Sequence, residues 1–396
     1  MNGRPLHIGI NTLYLIPSEV GGSETHAFEL LSALIRRYPA IQLTLFTNRE
    51  NDGHFRRFFS GIENVRFCTL DFSARNRYSR ILREQWELPA RVRQSAPDLL
   101  FSTGYTAPFF SCCPQAVFIH DMQYRNYPED FSLIGRMATH AIISLASSKC
   151  EGIVVPSEFA RGEVLKFTSA SEERVFVVRH GVHPKFFEEW NAGDLAHHLA
   201  LISPLKRPYL LCIAFSYPHK NIPLLLKAFR LLLDRIPHQL ILVGGIGLGE
   251  GEVRKIWKTL PRERVLRLSK VSREDVILLM KGADIFVTPS LYEGFGLPVL
   301  ESMAAGIPVV TTALASFPEI AGGHAVFFDE KDPQDLAQKV RDVLAWPASR
   351  RREIVDAGRR RAREFTWDLA AEKTYACFQE ILRRSGKAAG QGVAAS

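Results

Sequence analysis

Residues 290–306 read Ser-Leu-Tyr-Glu-Gly-Phe-Gly-Leu-Pro-Val-Leu-Glu-Ser-Met-Ala-Ala-Gly, and no other segment says more about the architecture. A short apolar strand at residues 285–288 precedes this stretch, and two glycines then form a loop. Pro298 marks the first turn of a helix, where a missing N–H is tolerated. A helix N-terminus carries unsatisfied N–H groups and about half a positive charge, which suits a diphosphate. The stretch therefore predicts an anion site at the end of a strand.

Two glutamates flank this predicted anion site. Glu293 precedes the glycine loop, and Glu301 follows it by eight positions, in what we predict to be the first turn of the helix. Carboxylates accept hydrogen bonds from hydroxyl groups such as those of a sugar. For either glutamate alone, a surface residue that complements the helix dipole is an equally good explanation. The two glycines and the proline together favour a ligand site.

Short apolar segments alternate with helical patterns along both halves of the chain. The predicted strands span residues 6–11, 42–47, 98–102, 115–120, 152–156 and 174–178, then 209–215, 239–243, 265–268, 285–288 and 308–312. Such alternation predicts an α/β fold with doubly wound parallel sheets. A polar segment at residues 183–207 separates the two series.

We therefore predict a first domain at residues 1–186 and a second at 187–366. A helix at 367–384 is expected to pack back toward the first domain, and 385–396 to form a flexible tail. Two such domains that face each other would leave a cleft at the carboxyl ends of both sets of strands.

Composition excludes several classes of protein. Of the 396 residues, 46% are hydrophobic and 23% are charged, which excludes whole-chain disorder. No apolar run approaches the length of a transmembrane helix, and the N-terminal residues lack the pattern of a secretory signal, so we expect a cytoplasmic protein. Six cysteines without a C-x-x-C pair indicate neither zinc nor disulfides. The net charge of +8 favours anionic partners.

Several motifs together carry a family resemblance. The segment from Glu293 to Glu301 resembles the E-x7-E motif of the retaining glycosyltransferases of family 4. Lys220 in Ser-Tyr-Pro-His-Lys-Asn resembles the family's diphosphate-binding Lys-Asn pair. Gly21-Gly22 resembles its N-terminal glycine loop, and His120-Asp121 its strand-end His-Asp. Segments 284–290, 306–310 and 316–322 are also in the family style. The resemblance extends from about residue 6 to 375 and implies the GT-B fold, two facing Rossmann-like domains with a deep cleft between them.

The resemblance also implies roles for individual residues. Glu293, His120 and Lys220 would be catalytic. Lys220 would neutralise the donor diphosphate, Glu293 would bind hydroxyls of the transferred sugar, and His120 would face that sugar near its C6 hydroxyl. Glu301 would hold the ribose hydroxyls. The other implied donor-binding residues, which act mostly through backbone groups, are Gly21, Gly22, Ser216, Val271, Phe295, Gly296 and Leu297.

Each of these residues also has a purely structural explanation. His120 could be a hydrogen-bonded core histidine, Gly21-Gly22 a tight turn, and Lys220 a solvated lysine. Phe215 is a departure from the family, because many members have an arginine there that also touches the diphosphate. In this chain, either Ser216 and backbone amides are sufficient to bind the diphosphate without that arginine, or arginines and lysines from other segments contribute.

Fixed positive charge at the diphosphate would stabilise the leaving group. No Asp-x-Asp motif precedes the cleft, so we expect Lys220 and helix N-termini to do this without a metal ion, and we expect no cofactor. The family retains the anomeric configuration. Because no protein nucleophile stands out, the implied mechanism is a same-face substitution with the departing phosphate as base.

Other functions are weaker interpretations. Gly244-Gly-Ile-Gly-Leu-Gly249 follows a strand but fails the G-x-G-x-x-G spacing of a hydride-transferring enzyme. The absence of G-x-x-x-x-G-K-[ST] excludes a P-loop ATPase. An epimerase would need further acids in the cleft. A non-catalytic nucleotide-sugar-binding module is the alternative from a different class, and we expect no nucleic-acid partner.

The form of two segments suggests a donor. Ser-Tyr-Pro-His-Lys-Asn at 216–221, together with Glu84-Gln85 ahead of Leu88-Pro89, looks most like bacterial mannosyl- and hexosyltransferases of surface-polysaccharide and lipopolysaccharide assembly. GDP-mannose is therefore the expected donor, with a UDP-sugar as the alternative, and the acceptor would be a glycan or a lipid-linked glycan.

One basic segment suggests a membrane contact. Residues 75–93 carry six arginines and two glutamates, interleaved with apolar residues. They predict either a peripheral contact with an anionic membrane, at its inner face, or a solvated helix face.

Overall fold

Two separate parallel sheets organise the chain, in a computed structural model that describes residues 4–17, 19, 21–202, 205–269 and 271–386. Unit 1 comprises residues 1–125, 133–181 and 366–396. Unit 2 comprises residues 126–132 and 182–365. Each unit therefore contains segments that are distant in sequence.

Unit 1 is built on a seven-stranded sheet. Its strands are β1 (His7–Asn11), β2 (Gln42–Thr47), β3 (Val65–Thr69), β4 (Leu99–Ser102), β5 (Gln115–Phe118), β6 (Gly152–Val155) and β7 (Val175–Val177). They pair in parallel in the order β3-β2-β1-β4-β5-β6-β7. Its helices are α1 (Gly22–Arg37), α2 (Asp52–Phe59), α3 (Arg77–Ser95), α4 (Gln123–Asn126), α5 (Leu133–Lys149), α6 (Glu158–Phe167) and α15 (Trp367–Arg384). Parallel strands need such helical crossovers.

Unit 2 repeats this scheme with six strands. They are β8 (Tyr209–Ile213), β9 (Gln239–Val243), β10 (Val265–Leu268), β11 (Ile285–Thr288), β12 (Val309–Thr312) and β13 (Val326–Phe328). Their order is β10-β9-β8-β11-β12-β13, again parallel throughout. Its helices are α7 (Ala192–Ile202), α8 (Ile222–Leu232), α9 (Glu250–Trp257), α10 (Arg273–Gly282), α11 (Leu297–Ala305), α12 (Phe317–Ala321), α13 (Pro333–Leu344) and α14 (Ala348–Arg363). The strand order reverses between β8 and β11, where ligands of such sheets bind.

The last helix of the chain completes the core of unit 1. In α15, Phe378 is fully buried and meets Phe101 of β4 edge-on, with ring centroids 5.2 Å apart. Tyr375 stacks on Tyr38 at 4.0 Å. The chain enters α15 against Gly181, where an added Cβ would lie 2.2 Å from a backbone nitrogen. Glycine at this position therefore allows the close approach.

The prediction of two Rossmann-like parallel-sheet domains is confirmed. The structure divides the chain after Gly181 instead of after residue 186, and residues 126–132 belong to unit 2. The edge strands β3 and β13 were not predicted. Neither was α7, which lies inside the polar segment 183–207 that separates the two predicted series of strands. The predicted tail lies outside the described residues from residue 387 onward.

Phe378→Ala should destabilise unit 1 by about 3–5 kcal/mol, because it leaves a cavity between α15 and the sheet. Thermal and urea unfolding followed by circular dichroism would measure the loss. Lys373→Ala, at an exposed position of the same helix, is the matched control. Equal stability of the two variants would contradict this account of the core.

Candidate functional site

The loop that leads into α11 is held in a conformation that requires glycine. Gly296 has φ +92° at the helix N-cap, and a Cβ there would lie 2.9 Å from the ring of Phe317. The Ser316 hydroxyl lies within hydrogen-bond distance of the carbonyl oxygens of both Glu293 and Phe295, at 2.9 and 2.8 Å, and its single hydrogen is shared between them. These contacts fix the loop between β11 and α11. The predicted donor-binding residues Phe295, Gly296 and Leu297 are therefore contiguous at the N-terminus of α11.

Two of the predicted catalytic residues contact each other. The Lys220 ammonium donates to Glu293 Oε1 at 2.5 Å, with side chains 18% and 22% exposed. Lys220 ends a 3₁₀ turn after β8, and Glu293 follows β11. Since β8 and β11 are neighbours where the strand order reverses, this ion pair lies at the position where a ligand is expected. The Glu293 carboxylate thus balances the positive charge of Lys220 in this structure.

Glu301 lies further along the helix than predicted. It is the fifth residue of α11 and so falls in the second turn, not the first. Its side chain is only 4% exposed and accepts a hydrogen bond from Arg273 at the start of α10. The Arg273 guanidinium also lies over the ring of Phe186, 4.9 Å from its centroid. Arg273 was not predicted, and it supplies the positive charge that a buried carboxylate requires.

Ser216 belongs to a polar network beside the Lys220 turn. Its hydroxyl donates to Glu250 Oε2 at 2.7 Å and accepts from the Gly247 amide at 2.8 Å. Arg267 donates to both oxygens of Glu250, at 2.9 and 2.8 Å. Burial acts to raise the pKa of Glu250, but the hydrogen bonds from Ser216 and Arg267 outweigh it and hold the pKa below its usual value. Arg267 thus places a guanidinium beside Ser216, next to Phe215, the position where many family members have an arginine.

A buried hydrogen bond between a histidine and an aspartate supports the same turn from another segment. His219 Nδ1 lies 2.5 Å from Asp130 Oδ2, and the two side chains are 4% and 1% exposed. Asp130 belongs to the short segment 126–132 of unit 2. In that segment, the Tyr127 hydroxyl donates to the Leu291 carbonyl at 3.3 Å, and the Leu291 amide donates to the His219 carbonyl at 2.8 Å. Sequence reasoning missed these contacts, since nothing in the pattern links residue 130 to residue 219.

The remaining predicted residues of unit 1 lie near its glycine turn and its strand ends. Gly21 has φ +57° at the N-cap of α1, and Gly22 begins that helix. His120 follows β5 and is buried, and its Nε2 lies 3.1 Å from the carbonyl oxygen of Thr103. Burial lowers the pKa of His120 to about 4. His120 is therefore a neutral, hydrogen-bonded histidine near pH 7.

Three buried histidines meet in unit 1. The Nδ1 atoms of His26 and His180 lie 3.1 Å apart, and the rings of His26 and His120 meet edge-on at 5.1 Å. Burial lowers the pKa of His26 and His180 well below the usual value. Among the described residues, no group of His, Cys, Asp and Glu is arranged to hold a metal ion. The lowered pKa values leave all three histidines neutral near pH 7.

The structure divides the predicted site residues between the units. Unit 2 contains Ser216, Lys220, Val271, Glu293, Phe295, Gly296, Leu297 and Glu301, and unit 1 contains Gly21, Gly22 and His120. Val271 is half-buried and packs against the apolar core of unit 2. The contacts above locate these residues, and their roles toward a donor stay predictions.

Comparisons with known proteins identify the family. A structure of Alr3699/HepE from Anabaena in complex with UDP and glucose matches 95% of this chain and 100% of its own, with a TM-score of 0.73 and 18% identity. The two units thus have the Rossmann-like architecture of GT-B glycosyltransferases. Residues 20–186 match the family model described as Glycosyltransferase Family 4, and residues 197–361 match Glycosyl transferases group 1. The chain belongs to glycosyltransferase family 4, which confirms the resemblance.

Several relatives of this chain are named mannosyltransferases. O-antigen chain mannosyltransferase B of Escherichia coli is 31% identical over 238 residues, or 58% of this chain and 60% of that protein. O-antigen chain mannosyltransferase RfbU of Salmonella typhimurium is 23% identical over 250 residues, or 63% of this chain and 65% of that protein. The chain thus matches less than two thirds of the length of either relative.

Asp130→Asn should destabilise unit 2 by about 1–3 kcal/mol, because a buried hydrogen bond to a charged group is lost or weakened. It should also weaken nucleotide binding, since the turn that carries Lys220 loses its support. Urea unfolding and calorimetric titration would measure the two effects. Glu129→Gln is the control, at the exposed neighbouring position. A variant as stable as this control would refute the supporting role.

The histidine cluster should make unit 1 lose stability as the pH falls from about 6.5 toward about 4. In this range the unfolded chain binds protons at these histidines and the folded chain does not. A lower pH therefore favours the unfolded state, and the full stability is reached only above the histidine pKa of the unfolded chain. Each histidine contributes up to about 1.4 kcal/mol per pH unit. His26→Phe should reduce this slope relative to the parent protein, whereas His197→Phe, at an exposed position, should leave it unchanged. Urea unfolding across this range tests it, and parallel curves for the parent and His26→Phe would disprove it.

Proposed function

We propose that the protein is a retaining, metal-independent hexosyltransferase that uses a nucleotide sugar, with GDP-mannose as the preferred donor. The acceptor is a glycan or lipid-linked glycan in cell-surface polysaccharide or lipopolysaccharide synthesis. The observation that carries this proposal is the Lys220–Glu293 pair beside the N-terminus of α11, at the point of strand reversal in unit 2. The names of two relatives, both O-antigen chain mannosyltransferases, support the choice of mannose and of the acceptor class.

Lys220 and the N-terminus of α11 bind the donor diphosphate in this proposal. As the bond between the anomeric carbon and the phosphate oxygen breaks, negative charge grows on the leaving diphosphate, and a fixed ammonium stabilises it. Lys220 leaves its contact with Glu293 when the diphosphate binds. Glu293 then accepts hydrogen bonds from hydroxyls of the sugar, so one ion pair supplies both a cation and an acceptor.

Glu301 and Arg273 serve the nucleoside in this proposal. The Glu301 carboxylate accepts hydrogen bonds from the ribose hydroxyls, while its contact with Arg273 holds it in position. The departing phosphate oxygen takes the proton of the acceptor hydroxyl, which forms the new glycosidic bond on the same face of the sugar. Lys220 supplies positive charge from the chain itself, which supports a reaction without a metal ion.

A UDP-sugar is the second candidate donor. The HepE structure that shares this fold was solved with UDP and glucose. At 18% identity this likeness concerns the fold, and base selection rests on local contacts.

A thermal-shift screen with GDP-, UDP-, ADP- and dTDP-sugars tests the donor assignment. Stabilisation by GDP-mannose alone would support the proposal. The expected stabilisation is about 2.7 kcal/mol at a ligand concentration of one hundred times the dissociation constant. Glu301→Ala should abolish the shift, and Glu301→Gln should retain part of it by keeping one acceptor oxygen near Arg273. Stabilisation by a UDP-sugar alone would transfer the assignment to the second donor. No shift with any nucleotide sugar would mean that the donor site is absent or forms only when the acceptor is bound.

Lys220→Ala should lower the turnover number by about 10²–10³, because one fixed donor to the developing charge is lost. Glu293→Gln should lower turnover as well but leave affinity for the free nucleoside diphosphate equal or higher, since Lys220 is released from its ion pair. Steady-state kinetics and calorimetric titration measure the two quantities. Lys227→Ala is the control, at an exposed lysine of α8. Weaker diphosphate binding by Glu293→Gln would contradict the proposed exchange of partners.

A further inference from the structure

Helix α3 exposes a line of large apolar side chains. Tyr78, Leu82 and Trp86 follow one another at intervals of four residues and are 70%, 59% and 80% exposed. Residues four apart lie on the same helix face, so these three side chains form one stripe. A single exposed apolar residue needs no explanation, but a continuous stripe marks an interaction surface.

The first turns of helix α5 add a second exposed apolar group. Leu133, Ile134 and Met137 are 63%, 72% and 65% exposed. Arg77 in the first turn of α3 donates to the Thr139 hydroxyl of α5 at 2.6 Å, which brings the two helices together. The six apolar residues named here form what we term the α3–α5 surface.

Positive charge adjoins this surface. A cavity of about 350 Å³ is lined by Tyr124, Arg125, Arg136, Met137 and His140, so Met137 belongs to both the cavity and the apolar surface. The Tyr124 hydroxyl lies 3.0 Å from His140 Nδ1, which fixes that wall of the cavity. The residues that line the cavity thus include two arginines and a histidine. Such a combination suits a phosphate group.

The flank of α3 is also basic. Residues 75–93 carry six arginines and two glutamates, and one of these glutamates, Glu84, is buried. The charge of Arg80 opposes that of the buried Glu84, and the remaining five arginines and one glutamate keep the flank of the stripe basic. Basic residues beside exposed aromatic and aliphatic side chains are typical of elements that lie on anionic bilayers.

We propose that the α3–α5 surface docks the protein on an anionic phospholipid bilayer, and that Arg125 and Arg136 bind a lipid phosphate in the adjoining cavity. Tyr78 and Trp86 lie at the depth of the headgroups, where amphipathic aromatic rings are favoured. Leu82, Leu133 and Ile134 enter the acyl boundary. This surface is independent of the proposed donor site, which belongs to unit 2.

Charge favours a bilayer over a second copy of the chain as the occupant. An isologous dimer would bring the same arginines of two copies together, whereas anionic lipids complement them. No described helix has the length and apolar character of a membrane span.

Vesicle flotation with the full-length protein tests the proposal. We expect binding to vesicles of phosphatidylcholine mixed with an equal amount of phosphatidylglycerol, little binding to phosphatidylcholine alone, and release at high salt. Arg125→Gln with Arg136→Gln should weaken binding about thirtyfold, at about a fivefold effect for each charge near the surface. The control is Arg352→Gln with Arg360→Gln, two exposed arginines of α14, with the same change in net charge.

The apolar stripe is tested separately. Leu82→Ser with Trp86→Ser should weaken vesicle binding by at least about tenfold, whereas Leu201→Ser with Leu231→Ser, at exposed positions of unit 2, should not. Trp86→Phe should keep binding but lose fluorescence quenching by brominated lipids, which places this side chain in the bilayer. Circular dichroism and the donor thermal shift should be unchanged in all variants, so failure here is distinguishable from failure of the proposed function.

Three outcomes would overturn the proposal. Equal binding to neutral and anionic vesicles would remove the role of the arginines. Binding that survives both double substitutions would place the contact elsewhere. A dimer in light scattering that Leu82→Ser with Trp86→Ser dissociates, without vesicle binding, would assign the surface to a second copy. Inorganic phosphate is included as a competitor, and its failure to displace the vesicles at constant ionic strength would exclude a phosphate site in the cavity.

Discussion

The ion pair between Lys220 and Glu293 is the constraint around which unit 2 is arranged. It joins the turn after β8 to the loop after β11, the two strands between which the sheet reverses its order. Two charges that are about one fifth exposed need each other, since removal of either leaves the other poorly solvated. Neighbouring contacts hold both side chains in place. Asp130 supports the turn of Lys220 through His219, and the Ser316 hydroxyl fixes the loop of Glu293 through the carbonyl groups of that loop. An anion that displaces Glu293 would therefore meet a lysine already in position.

The sequence predicted the central strands of both sheets and the edge strands β7 and β10, but it missed the edge strands β3 and β13. Central strands such as β1 and β9 are buried along their whole length and read as continuous apolar runs. The edge strand β3 is Val-Arg-Phe-Cys-Thr with only Val65 buried, and β13 has three residues, so neither carries that signal. Helix α7 lies in a His-rich polar segment and buries only Leu195 and Leu199, too few for its periodicity to stand out. These elements form because the sheet and helices beside them offer partners.

At the site, the sequence predicted the residues that a motif carries and missed those that only the fold brings near. Lys220 and Glu293 were named, although their contact with each other was not foreseen. Arg273, Arg267 and Asp130 have no spacing relative to any motif, because they reach the site from separate elements through tertiary contacts. The helix was expected to begin at Pro298, which makes Glu301 its fourth residue, whereas it begins at Leu297 and Glu301 is its fifth. This shift of one residue moves Glu301 from the first turn to the second.

Helix α3 buries Leu88 and Val92, as an amphipathic helix does, but it also buries Glu84 and exposes Trp86, and the groups beneath the helix explain why. Glu84 is 2% exposed and accepts hydrogen bonds from the Asn11 amide at 2.7 Å and from the Thr106 hydroxyl. Burial raises the pKa of this carboxyl, against the opposing charge of Arg80. Because Asn11 ends β1 and Thr106 follows β4, both polar groups lie beneath the helix, and an inward glutamate satisfies them. Trp86 lies two positions further along and is 80% exposed, so the inward Glu84 and the outward Trp86 are consequences of a single helix rotation.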